Sequence, residues 1–314
     1  MILVLAGVFA GCGAPTGDDD GFPLTIAHRF GEARIPAVPE RVLSLGRTDQ
    51  DAILALGVVP VAVREFADNN SSVAAWPWTT TKLQGKQPAV LRQSDINPAL
   101  IAGLRPDLIV AFSADLTREQ YEWLSKIAPV ITQPADSAEH GSSWREVTKT
   151  IGRALGKTAE ATKLVEAVDT KISAVKSRYP GIEGKSVVLA QPGDGSHYLI
   201  WGSHDPRAWI FESLGMRFPA EIGSVVGNSP SATVGTERLE LLDSADAVVL
   251  LTSDTAQFNA FRSLPGYSAL SVVQRKDVLV FDEDPSAALA FSSVLSLPPL
   301  LGILPEELAS MVTE

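Results

Sequence analysis

Cysteine is nearly missing from this 314-residue chain, which has only Cys12. One thiol forms no intramolecular disulfide and no cysteine-rich metal site. Basic charge is also scarce, with 26 Lys and Arg against 37 Asp and Glu and a formal net charge of −11. That balance excludes the broad cationic face on which nucleic-acid binding depends. It leaves room for a local basic pocket, since the arginines (16) outnumber the lysines (10). His28 and His140 are isolated, and His197 and His204 stand seven residues apart, which is neither a helical i, i+4 pair nor a tight metal loop. Catalytic signatures are missing too. Gly266-Tyr267-Ser268-Ala269-Leu270 begins like a nucleophile elbow but has Leu where the second Gly belongs. Gly193-Asp194-Gly195 lacks the third glycine of a dinucleotide loop, and no Walker-type phosphate loop occurs.

What is present is a chain long enough for two domains, with 45% hydrophobic and 20% charged residues, which can bury a substantial core. Residues Met1–Phe9, MILVLAGVF, form an apolar run too short to span a bilayer. Ala10-Gly11-Cys12 follows it and resembles a lipobox, in which the cysteine becomes the lipidated N-terminus. Phe9 stands where that pattern favours Leu, and no Lys or Arg precedes the run, so the reading places the true start codon upstream. GAPTGDDDG then reads as a flexible tether. The expectation is an exported lipoprotein, held to the membrane through Cys12.

The stretch Trp144–Tyr179 divides two halves that each read as an α/β lobe. It breaks at Leu155-Gly156-Lys157, because glycine is a common helix stop. Thr158 is then expected as an N-cap. Leu164, Val165, Val168, Ile172 and Val175 recur at the spacing of one buried helix face, and Pro180-Gly181 ends the helix. A helix over 158–178 is about 30 Å long, enough to serve as a strut between lobes. The expected organisation is signal and tether over 1–20, a first lobe over 21–142, linker helices over 143–180 and a second lobe over 181–314. In the first lobe, PERVLSLG, VVPVAV, LRPDLIVAF and PVI read as strands separated by helices, which implies parallel pairing. In the second, GKSVVLAQ, SHYLIWG, ADAVVLLTS and KDVLVFDED read as strands. A helix is expected from Asp205-Pro206 and another over Thr236–Leu242. The closing helical segment is expected to be interrupted at Pro298-Pro299.

Taken in order, PERVLSLG, DAILALGVVPVAV, LRPDLIVAF, LTREQYEWLSKIAPVI and IGRALGKTAEATKL resemble the substrate-binding lipoproteins of ABC importers for ferric siderophores, haem and cobalamin. The likeness is greatest to the actinobacterial ferric-siderophore-binding members. It covers about residues 22–312 and rests on the ordered set of segments rather than on any one of them. The resemblance implies two α/β lobes with mostly parallel central sheets, one long linker helix and a ligand cleft between the lobes. It implies a monomer without enzymatic activity or resident cofactor. Such a protein captures a ferric siderophore and passes it to an ABC transporter permease. Haem is the alternative ligand, and an exported hydrolase is the rival from another class.

In open α/β sheets, ligands gather beyond the carboxyl ends of strands. That rule selects Arg47, Arg64, Trp76, Trp78, Phe112 and Ser113 in the first lobe, and Trp201, Arg207, Trp209 and the run Thr252-Ser253-Asp254 in the second. Arginine forks donate paired hydrogen bonds to an anionic chelate, and aromatic rings stack on a catecholate or porphyrin. Each has a bland rival. Arg47 could pair with Asp49 or Asp51, Arg64 with Glu65 or Asp68, and Asp254 could simply cap a loop. Arg207 stands in a first helical turn, where a cation opposes the macrodipole, which favours a ligand role. The resemblance also places permease docking on one glutamate in each lobe. Glu237 matches in the second lobe. Ala99 stands at the first-lobe position, a departure that leaves Asp95 as a substitute or the docking asymmetric.

Overall fold

A computed structural model describes residues 21–65, 76–92, 96–135, 142–252 and 254–312. The described chain opens with an antiparallel hairpin of β1 (Leu24–His28) and β2 (Gly31–Ile35). Leu24, Ile26 and His28 alternate inward, as period-two strands require. The turn falls at Arg29-Phe30, and Gly31 opens β2 at a φ of +138° that favours glycine.

The first lobe then builds a five-stranded sheet. Its elements in order are β3 (Val42–Ser44), α1 (Asp49–Ala55), β4 (Ala62–Arg64), α2 (Pro77–Thr80), β5 (Ala89–Leu91), α3 (Pro98–Leu104), β6 (Leu108–Val110), α4 (Arg118–Leu124) and β7 (Val130–Ile131). The spatial order is β5-β4-β3-β6-β7, with every pairing parallel. β3, β4 and β6 are buried at every position, as strands covered on both faces must be. β5 lies in a stretch that hydrophobic patterning left without an element. Its Ala89 and Val90 are exposed, so only Leu91 carries the inward signal.

Two helices follow, α5 (Trp144–Ala154) and α6 (Thr158–Arg178). They turn about Gly156 at a φ of +67°, as expected from the break. The N-cap is Lys157 rather than Thr158, which is already the first helical residue. α6 buries Ala161, Val165, Val168, Ile172 and Val175 against α5 at one end and against the C-terminal helix at the other. The strut is therefore real and packed along its length.

The second lobe contains β8 (Val187–Pro192), β9 (His197–Trp201), α7 (Ala208–Ser213), α8 (Ala220–Val226) and β10 (Ser231–Gly235). A 3-10 turn (Thr236–Ser244), β11 (Ala247–Leu251), α9 (Thr255–Arg262), α10 (Ser271–Gln274), β12 (Val278–Phe281), α11 (Glu283–Phe291) and α12 (Leu297–Val312) complete it. The sheet order is β10-β9-β8-β11-β12; β8, β11 and β12 are parallel, and β9 runs antiparallel to both neighbours. α8 and β10 occupy a Gly/Ser-rich stretch, whose composition weakens the apolar pattern of both elements. The closing helices are interrupted at Ser292–Ser296 and not at Pro298-Pro299. Those prolines occupy the first turn of α12, where a missing N–H leaves no hydrogen bond unmade.

One hydrophobic core runs unbroken from Ile26 and Val110 of the first lobe, through Val165 and Ile172 of α6, to Leu189, Leu251 and Leu304 of the second. Relative movement of the lobes therefore has to work through a shared, close-packed interior.

Candidate functional site

In the first lobe the segments that follow β3 and β6 meet at Asp49. Its Oδ2 accepts the Gly46 and Phe112 backbone N–H groups, each at 3.0 Å, and so ties the loop after β3 to the loop after β6. A Cβ at Gly46 would come within 2.5 Å of this carboxylate, so glycine is required there. Asp49 is fully buried, and burial pushes its pKa up to about 7 against two opposing backbone hydrogen bonds. Arg64 ends β4 in a buried position and donates through Nη1 to the Ala114 carbonyl at 2.9 Å. Burial lowers its pKa, Asp115 opposes that shift, and the neighbouring Arg47 cation adds to it. Arg47 and Ser113 reach solvent on the same rim, and Ser113 and Asp115 both adopt positive φ in the loop after β6. The structure thus brings Arg47, Arg64 and Ser113 together. Phe112, selected with them, is 1% exposed and packs in the core, because its backbone rather than its ring ends the strand.

The sequence offered Asp49 and Asp51 as surface partners for Arg47. Both are instead buried and accept hydrogen bonds elsewhere. Asp51 Oδ2 takes the Trp78 indole N–H at 2.9 Å and the hydroxyl of Ser293, which belongs to the second lobe. Beside this contact, Trp76 and Trp78 stack nearly parallel, with ring centroids 5.2 Å apart. Phe291 at the end of α11 meets each indole edge-on at 5.8 Å. The two tryptophans selected from sequence therefore meet a ring from the opposite lobe. Phe291, Ser293 and Asp51 were missed. Their only local signals are an aromatic and a serine at a helix end and an acidic residue in a first turn, which are common features.

Trp201, Arg207 and Trp209 lie elsewhere. β9 is antiparallel, so Trp201 pairs with Leu189, near the amino end of β8. That places it level with Val249 in the middle of β11, three residues short of Thr252, which follows the carboxyl end of that strand. Trp201 is a buried core residue, with the Arg207 guanidinium 4.7 Å from its ring centroid. Arg207 Nη1 contacts both Asp205 carboxylate oxygens at 2.8 Å, which compensates the charge opposing the α7 dipole. Trp209 packs edge-on against Trp144 of the linker, and Arg145 sits 4.6 Å from both ring centroids while paired to Asp169. These aromatic–cation contacts join the second lobe to the linker.

Asp254 caps α9, accepting the Gln257 N–H at 2.8 Å. His197 contacts Asp194, His28 is buried beside Tyr121, and no metal-binding group of His, Cys, Asp and Glu occurs among the described residues. Glu237 is exposed in the turn after β10, and Ala99 is exposed on α3. Cys12, Asp68, Asp95, His140 and Ser253 lie outside the described residues. No described helix is long and apolar enough to cross a membrane.

A crystal structure of a periplasmic solute binding protein from Mycobacterium smegmatis superposes with a TM-score of 0.82 at 32% identity, covering 92% of this chain and 98% of that one. Streptococcus pneumoniae PiaA in complex with ferrichrome superposes with a TM-score of 0.75 at 25% identity, covering 92% and 98%. The Fe(3+)-citrate-binding protein YfmC of Bacillus subtilis is 24% identical over 294 residues, 90% of this chain and 88% of that protein. The description Periplasmic binding protein matches residues 47–285, more than half of the chain, and this chain, with its two α/β lobes on a packed strut, belongs to that family.

Proposed function

We propose that this protein captures a ferric siderophore between its lobes outside the cytoplasmic membrane and delivers it to an ABC importer. The observation that carries the reading is the meeting of Trp76 and Trp78 from one lobe with Phe291 from the other. Rings supplied by both lobes make one aromatic surface across the lobe junction, against which a ligand buries apolar area. Arg47 and Arg64 supply cations beside Ser113 for an anionic or strongly hydrogen-bonding chelate. PiaA, a protein of the same fold crystallised with ferrichrome, supports the ligand class. Haem is the second reading, and the ferrichrome of PiaA and the Fe(3+)-citrate of YfmC favour a ferric chelate over it.

The test is quenching of tryptophan emission by ferrichrome, ferric citrate, ferric staphyloferrin B, haem and cobalamin. Saturable quenching by at least one ferric siderophore is expected, weakened in Trp78→Ala. Saturation by haem or cobalamin alone would overturn the reading. Anchoring through Cys12 belongs to the same proposal. Expressed behind a complete export signal, the protein is expected to fractionate with membranes and its Cys12→Ser variant is not; identical fractionation of the two would remove the anchor.

A further inference from the structure

Asp51 joins two residues that lie far apart in sequence, Trp78 and Ser293. Its Oδ2 holds the Trp78 indole N–H at 2.9 Å and the Ser293 hydroxyl, while its Oδ1 is buried without a partner. Ser293 is itself fixed. Its Oγ accepts the Leu295 and Ser296 N–H groups at 3.2 and 3.0 Å, its own N–H donates to Ser296 Oγ at 2.9 Å, and Ser296 Oγ donates to the Ala288 carbonyl of α11. The turn presenting Ser293 is thus rigid and directly follows Phe291. One carboxylate oxygen therefore sets where the Trp76–Trp78 stack stands relative to the second lobe.

We propose that Asp51 is a positioning residue for the ligand site, whose tie to Ser293 and Trp78 aligns the aromatic wall across the lobes and loosens on protonation. This rests on reading the space between the lobes as the ligand site. Burial is the first cause that shifts Asp51, raising its pKa to about 7, while the hydrogen bonds from Ser293 and Trp78 pull it down. The charged groups on the elements packed nearby are Asp49 on α1 itself, Arg145, Glu146, Lys149 and Arg153 on α5, Lys82 beside α2, and Glu283 and Asp284 on α11. None of them forms an ion pair with Asp51 among the described residues, and Arg145 is committed to Asp169. A proton arriving at Oδ1 leaves Oδ2 as a neutral acceptor, which holds both donors more weakly than a carboxylate does.

The decisive experiment needs no ligand. The difference in tryptophan emission between the parent protein and Trp78→Phe is followed from pH 5 to 9, and again in Asp51→Asn and Ser293→Ala backgrounds. The expected result is a transition centred near 7 in the parent, none in Asp51→Asn, and an upward-shifted midpoint in Ser293→Ala, which loses a donor that favours the charged form. Ser293→Thr, which keeps the hydroxyl, restores the parent midpoint. A flat parent profile, or an unchanged transition in Asp51→Asn, overturns the proposal. Ferrichrome affinity is measured in parallel. About fivefold weaker binding in Ser293→Ala at pH 8, with the gap closing at pH 5.5, is the expected result. Absence of ferrichrome, ferric citrate and ferric staphyloferrin B binding at every pH would count against the siderophore reading, while the emission profiles would still decide the role of Asp51.

Discussion

Arg207 and Asp205 form a compact pair in which one guanidinium nitrogen contacts both carboxylate oxygens at 2.8 Å and the Arg207 N–H donates to the same carboxylate at 2.9 Å. The Asp205 side chain is 7% exposed and that of Arg207 24%. Removing the arginine strands a buried carboxylate, which costs more than losing a surface ion pair.

Arg207→Ala is therefore expected to lower unfolding free energy by about 2 kcal/mol while changing siderophore affinity less than about threefold. Arg47→Ala, on the exposed rim of the first lobe, is expected to do the reverse. Loss of one charge-assisted hydrogen bond weakens binding by at least about tenfold with little change in melting temperature. Urea denaturation and ferrichrome titration of both variants, with Arg178→Ala on the strut as control, check this. Arg207→Ala binding tenfold more weakly at unchanged stability would return that residue to the ligand site.

Asp49 carries a pH prediction. Burial raises its folded pKa to about 7, so the native state binds the proton more tightly than the unfolded chain. The stability contributed by that proton is fully present below the unfolded value of about 4 and is lost as pH rises through about 7. Asp49→Asn cannot titrate. It should be clearly less stable than the parent at pH 5, and the gap should narrow by pH 8. Urea midpoints at the two pH values test this, and a gap that widens would show the sign to be wrong.

Gly152 lets the linker helices approach. A methyl group there would sit 2.2 Å from Ala161 Cβ and 3.1 Å from the Lys157 carbonyl oxygen. Alanine gains roughly 0.5–1 kcal/mol over glycine in a helix interior, but overpacking a tight contact costs roughly 1–3. Gly152→Ala should therefore destabilise by about 1–2 kcal/mol, and Ala161→Gly in the same chain should recover most of the loss. A double-mutant cycle by thermal melting reads the coupling directly.

Glu237 should separate capture from delivery. Its carboxylate is exposed beyond β10, at the position where the family resemblance places permease docking. Glu237→Arg is expected to leave ferrichrome affinity unchanged and to cut transporter-dependent uptake into vesicles at least tenfold by like-charge repulsion, roughly 1.4 kcal/mol or more. Normal uptake by this variant would mean that docking relies on other residues.

Much of the fold was legible because its signals are local. The α6 strut showed its apolar face at 3–4 spacing and its stops at Gly156 and Pro180, and the structure returns Thr158–Arg178. β3, β6 and β11 showed as short apolar runs because both sheet faces are covered. β5 and α8 were not legible, since exposed residues at a sheet edge and a Gly/Ser-rich context weaken the apolar pattern.

The site divides along the same line. Sequence alone determined two α/β halves on one long helix, a shortage of basic charge and the Trp76/Trp78 pair, because propensity, periodicity and composition act over neighbouring residues. Only the tertiary structure decided that Trp201 is buried mid-sheet beside Leu189, since strand direction is set by pairing and not by the strand's own residues. Only it decided that Asp49 and Asp51 are buried rather than paired with Arg47. And only the packing of the lobes brings Ser293 to Asp51, across 242 residues of chain, because no local preference of either residue encodes a partner that far away.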